Sequence, residues 1–116
     1  MNVADRIEIE KKIVRHLCDT MAKHGWIAKS VDDGGDEWEP VKSTNEVVEA
    51  VFAVDEAHIV FKKTDGDKTT RCAVFIVLGN SGWDCIADYS YTTEFLKIME
   101  EEVDPFCYEI EEEINQ

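Results

Sequence analysis

The stretch AHIVFKKTDGDKTTRCAVFIVLGNSGWDCIADY, Ala57 to Tyr89, decides how the chain folds. Two turn signals divide it into three apolar runs. Asp65-Gly66 is a strong two-residue hairpin turn, and Gly79-Asn80-Ser81-Gly82 is a second place where the chain can reverse without steric cost. The spacing predicts strands over Ala57–Lys63, Thr69–Leu78 and Trp83–Tyr89. With Asp65-Gly66 as the first turn, Ile59 faces Cys72 and Ala57 faces Val74. With Asn80-Ser81 as the second, Leu78 faces Trp83, Ile76 faces Cys85, Val74 faces Ala87 and Cys72 faces Tyr89. One face then reads Ala57, Ile59, Phe61, Cys72, Val74, Ile76, Leu78, Trp83, Cys85, Ala87 and Tyr89, and a one-residue slip would destroy it. The glycine-rich segment thus has a sufficient structural task as a turn.

The opposite face reads His58, Val60, Arg71, Ala73, Phe75, Val77, Asp84, Ile86 and Asp88. In this register His58, Ala73 and Asp88 share a row, and Arg71 lies diagonal to Asp88, within ion-pair reach. A hydrolase using His58, Asp84 and Asp88 would need them in one pocket. Yet a strand separates His58 from Asp88 by about 10 Å, so a half-solvated face with an ion pair accounts for these residues.

Outward from this stretch, residues 4–24 carry Ile7, Ile13, Val14, Leu17 and Met21 at helical spacing, with Lys11, Lys12 and Arg15 on the other side. Gly25 supplies the stop. Trp26–Val31 is a short strand, Asp32–Glu37 an acidic turn, and Trp38–Lys42 a return strand that Pro40 places at a sheet edge. Trp26 and Trp38 fit either a core or an interface. Ser43 with Glu46 fits a capping box opening a helix with Val47, Val48, Val51 and Phe52 on one face. A last helix starts near Thr92, striped by Phe95, Leu96, Met99 and Val103. Pro105 should break or kink it, leaving Phe106, Tyr108 and Ile110 in a further packed segment and a frayed EEEINQ tail. The expected fold is a single α+β domain over 1–116. It has a mostly antiparallel sheet of about five strands in the order α-β-β-α-β-β-β-α, with the first and last helices packed on the apolar face.

The 116 residues include 44 % apolar and 33 % charged side chains, which suits one folded domain with its own core. The longest apolar run, Ala73–Leu78, is too short to span a bilayer, and the N-terminus lacks a signal-peptide core. The expected compartment is the cytoplasm. Cys18, Cys72, Cys85 and Cys107 form no CxxC pair and read as buried apolar side chains rather than a disulfide framework. The register puts Cys72 and Cys85 beyond disulfide reach. His16 and His24 lie two helical turns apart, about 12 Å, too far to share a metal. The Asp32, Asp33, Asp36, Glu37 cluster lacks the EF-hand pattern. No nucleotide-binding, zinc or nucleophile motif occurs, and no cofactor, metal or enzymatic activity is expected.

Charge is the strongest compositional feature. The net charge is −14, and residues 72–116 hold eleven acids against Lys97 alone. Such a surface repels nucleic acid and anionic membrane and attracts a basic protein. The densest part is Glu100, Glu101, Glu102, Asp104, Glu109, Glu111, Glu112 and Glu113. With Asp84 and Asp88 these form the candidate partner-binding set. A solvated helix face would also carry such charges, and like charges at helical spacing weaken the helix.

Gly79, Asn80, Gly82, Trp83, Asp84, Ile86, Asp88 and Tyr89 form a G-N-x-G-W-D-x-I-x-D-Y segment. It resembles a poorly characterised group of small acidic proteins of phages, plasmids and integrated elements. The segment spans 11 of the 116 residues, about a tenth of the chain. It implies a mobile-element context, where small acidic proteins bind and block host or rival proteins. The expected function is a non-enzymatic interaction protein that inhibits a basic, nucleic-acid-binding host or defence protein, in the manner of a DNA mimic, as a monomer or homodimer. The alternative is a dedicated chaperone or adaptor resembling secretion chaperones, which would hold an extended segment along a groove or sheet edge.

Overall fold

The computed structural model describes residues 2–33 and 38–115, the side chain of Trp38 excepted. Helix α1 (Val3–Lys23) is capped by Asn2, whose side chain accepts the Asp5 N–H at 2.8 Å. His24 caps its C-terminus, and Gly25 turns the chain away with φ +85°. Strands β1 (Ile27–Asp32) and β2 (Trp38–Pro40) follow, then helix α2 (Thr44–Phe52). Ser43 caps α2 through the Glu46 N–H at 3.2 Å, while the Glu46 carboxylate accepts from the Lys42 N–H at 2.9 Å, one residue earlier than a reciprocal capping box requires. Strands β3 (Glu56–Asp65), β4 (Lys68–Val77) and β5 (Ile86–Tyr89) complete an antiparallel sheet ordered β2-β1-β3-β4-β5. Helix α3 (Thr93–Ile98) runs through a π-helical turn (Met99–Val103) into α4 (Asp104–Ile114).

The first hairpin turns at Gly66-Asp67 rather than Asp65-Gly66, because Asp65 pairs with Lys68. Gly66 takes φ +64° at the first turn position, where a type II′ turn wants glycine. Ile59 therefore faces Val74 and Ala57 faces Ile76. The register moves by two residues, so the faces survive. Ala57, Ile59, Phe61, Cys72, Val74 and Ile76 are all buried.

The second hairpin departs further. Strand β5 begins at Ile86, not Trp83, and a bulge lies opposite Phe75 and Ile76. Val74 pairs with Tyr89 and Ile76 with Ile86, so Ile86 packs toward the core and Ala87 is exposed, the reverse of the expected pattern. Trp83 packs against the core from the loop. The acidic turn between β1 and β2, including Asp36 and Glu37, falls largely outside the described residues, as does the Trp38 side chain.

One face of the sheet carries the core, to which all the helices contribute, α2 included through Val47, Val48 and Val51. The edge of Trp26 meets the Phe95 ring at 5.2 Å, and Phe61 lies 5.8 Å from Phe95. Among the described residues, no helix packs over the opposite face. His58, Lys62 and Arg71 are exposed there, Ala73, Phe75 and Val77 are half-buried, and Val60 is buried among them.

Pro105 does not end the helix. It stands in the first turn of α4, directly after the π turn. Proline supplies no N–H and its ring crowds the carbonyl four residues back, and a wider turn relieves both. The turn also restores phase. At 100° per residue, Cys107 would stand about 120° around the helix from Phe95; one extra residue taken up by the π turn reduces this to about 20°. Phe95, Met99, Val103, Cys107 and Ile110 are accordingly all buried. The helix continues to Ile114, into the tail expected to fray.

Candidate functional site

Helix α1 grips the helical rod at the π turn. The His16 ring stacks on Phe106 at 3.9 Å, and its Nε2–H donates to the Glu102 carbonyl at 2.9 Å. Two turns later His24 pairs with the Glu102 carboxylate. The two histidines thus hold one residue, through its main chain and its side chain. Asp104 accepts the Tyr89 hydroxyl at 2.8 Å, tying the rod to β5.

The ten acidic residues expected to meet a partner separate into two sets. Asp84 accepts the Ser81 N–H at 3.1 Å and shapes the loop. Asp88 Oδ1 accepts the Tyr89 N–H and the Tyr91 hydroxyl, both at 2.9 Å. With Glu102 and Asp104, these four are engaged within the fold. Glu100, Glu101, Glu109, Glu111, Glu112 and Glu113 have no hydrogen bond or ion pair among the described residues. All but the half-buried Glu111 are exposed, so the π turn and α4 present bare carboxylates to solvent.

The uncovered sheet face brings together a different group. Asp32, His58, Phe75 and Asp88 form one row across β1, β3, β4 and β5, with Phe75, not Ala73, between His58 and Asp88. The His58 and Phe75 rings stack at 4.5 Å. His58, Ala73, Phe75, Asp88, Tyr89 and Ser90 line a hollow of about 220 Å³. Arg71 does not pair with Asp88: it faces Lys62, four residues along β4 from Phe75, about 13 Å by strand rise.

Among the described residues, no group of three or more His, Cys, Asp or Glu side chains is placed to hold a metal. Asp32 and Asp33 of the acidic turn are described, whereas Asp36 and Glu37 are not. All four cysteines are buried free thiols. Burial, with the charge of Asp19 next, pushes Cys18 up to about 12. Burial and Asp104 push Cys107 up to about 12, and burial raises Cys85 as well. Thiols held protonated in this way are poor nucleophiles at neutral pH.

Sequence reasoning missed Glu10. It is 1 % exposed, pairs with Arg6 at 3.3 Å, and accepts the Gly79 N–H at 2.9 Å. A carboxylate at position 10, three, four and seven residues before Ile13, Val14 and Leu17, stands in the apolar stripe, and that was the available signal. Gly82 docks against the same helix. A Cβ there would lie 3.4 Å from Arg6 and Ile9, and its φ is +94°. The glycine-rich segment is thus a turn clasped to α1.

The Tyr89–Asp104 contact has a pH signature. Burial, and then hydrogen bonding to Asp104, raise the Tyr89 phenol above its ordinary value near 10. The folded state holds this proton more tightly than the unfolded chain. The stabilisation is therefore complete below about pH 10 and falls as pH rises above it. Tyr89→Phe should cost about 1 kcal/mol at neutral pH and reduce the alkaline loss. Urea denaturation from pH 8 to 11 tests this, and an unchanged alkaline slope in the variant would refute it.

No helix among the described residues is long and apolar enough to cross a membrane. No family model, no curated protein and no solved structure matches the chain.

Proposed function

We propose that this chain is a non-enzymatic, cytoplasmic interaction protein of a mobile element, which binds and inhibits a basic, nucleic-acid-binding host or defence protein. The supporting observation is the run of unpaired carboxylates on the π turn and α4, beside which the sequence offers only Lys97 among residues 72–116. From Glu100 to Glu113 eight acids occupy fourteen positions. Six of them are unpaired, and at helical rise these give about one free negative charge per 3.5 Å, close to the ~3.4 Å spacing along one strand of DNA and about half the density of the duplex. A surface built to meet phosphates would find the charge spacing of a single strand here. The resemblance of residues 79–89 to mobile-element proteins agrees with that role.

The chaperone or adaptor alternative draws on the uncovered sheet face, where Ile27 is 44 % exposed. Charged residues interrupt that face, and the edge strands β2 and β5 have three and four residues, so pairing with an extended segment has little backbone to use.

The test compares the native chain with the variant E100Q/E101Q/E109Q/E112Q/E113Q in affinity capture at about 50 and 500 mM salt. The native chain should retain nucleic-acid-binding proteins at low salt, lose them at high salt, and release them to duplex DNA. The variant should retain at least tenfold less. Equal retention by the variant would overturn the reading.

A further inference from the structure

We propose that the hollow on the uncovered sheet face is a receptor for one arginine side chain of a protein partner. The inference rests on the reading that the partner is basic, and it deepens that reading by placing a specific anchor away from the acidic helix.

Three observations carry it. First, the carboxylate is fixed but unfinished. Asp88 Oδ1 is occupied by the Tyr89 N–H and the Tyr91 hydroxyl, whereas Oδ2 accepts nothing among the described residues. A carboxylate already oriented loses little freedom on binding. Second, the wall beside it is aromatic. Phe75, directly opposite Asp88 in the register, is half-exposed and backed on one side by His58 at 4.5 Å and 14° between the ring planes. A planar guanidinium stacks on such a wall while donating to a carboxylate, whereas an ammonium does only the second well. Third, the space fits. Ala73 contributes only a methyl group, and the hollow of about 220 Å³ has room for a guanidinium and its methylenes. The Ser90 Oγ, which accepts the Ala73 N–H at 2.9 Å, adds a further acceptor on the lining.

Among the described residues, no cation pairs with Asp88. Arg71 stands two residues beyond Ala73 on the same face, about 7 Å along the strand. It does not line the hollow, and its charge opposes a second cation nearby. Removing it should therefore strengthen binding rather than weaken it.

The experiment is a titration of the ¹⁵N-labelled full chain with N-acetyl-arginine methylamide, followed by backbone amide shifts, beside its neutral citrulline counterpart. Arginine should shift His58, Ala73, Phe75, Asp88 and Ser90 with a dissociation constant of order 1 mM, and citrulline should leave them in place. Asp88→Asn, in which Oδ1 keeps its two donors, should weaken binding about tenfold. Phe75→Leu should weaken it about fivefold, and Arg71→Gln should tighten it. Equal shifts with citrulline, unchanged affinity in Asp88→Asn, or no shift in the hollow would overturn the receptor. Shifts confined to residues 100–113 would also overturn it, while leaving the acidic helix as the partner surface. Loss of the salt-dependent capture described above would instead remove the basic partner itself.

Discussion

Glu10→Ala should lower the stability of the fold by about 3 kcal/mol. The carboxylate is 1 % exposed and holds two groups, the Arg6 guanidinium and the Gly79 N–H. Arg6 is 26 % exposed and turns to water at small cost. The Gly79 amide belongs to a loop clasped against α1, so its loss is the larger one. Glu10→Gln keeps an acceptor for that amide and should cost about half as much. Urea midpoints measure both, and amide exchange in residues 79–82 shows whether the loop has come free. A loss below about 0.5 kcal/mol for the alanine variant would mean that water fills the carboxylate's place.

Phe95→Ala should cost about 4 kcal/mol. Phe95 is fully buried where α3 meets the sheet, with Trp26 and Phe61 against its ring. Removing it opens a cavity beneath both aromatics, which the rigid sheet prevents from collapsing fully. For a domain whose total stability is of order 5–15 kcal/mol, this is a large share. Phe95→Leu should retain more than half of it. Thermal unfolding followed by tryptophan fluorescence reads the effect, and a cost under about 1.5 kcal/mol would indicate that the core repacks.

Much of the architecture was legible because strand faces depend only on odd and even positions. The first hairpin turns two residues from its expected pairing, at Gly66-Asp67, yet Ala57, Ile59 and Phe61 still face inward. The bulge in β5 was not legible, since Ile86 and Ala87 are both apolar and nothing in their chemistry says which one leaves the ladder. Pro105 marked where the helix departs from regularity, though not that the departure would be a π turn rather than a break. Proline ends a regular helix, but the sequence does not state that a wider turn can precede it. The candidate site was legible as a charge count and as a pair, His58 and Asp88. The ring that stands between them, Phe75, depended on a register that turn chemistry alone left two residues out.

The π turn also has a meaning for chain length. It is a helix carrying one residue more than its core contacts require. Deleting a single residue from Met99–Val103, together with Pro105→Ala, would return a regular helix with Phe95 and Cys107 still facing the same core, whereas a deletion on either side would rotate one half of the stripe by about 100°. Insertion and deletion are therefore unequal along this rod: one address absorbs a change of length and its flanks do not. Pro105 holds that address in its longer form, because an unbroken α-helix would bring the proline ring against the carbonyl of Glu101.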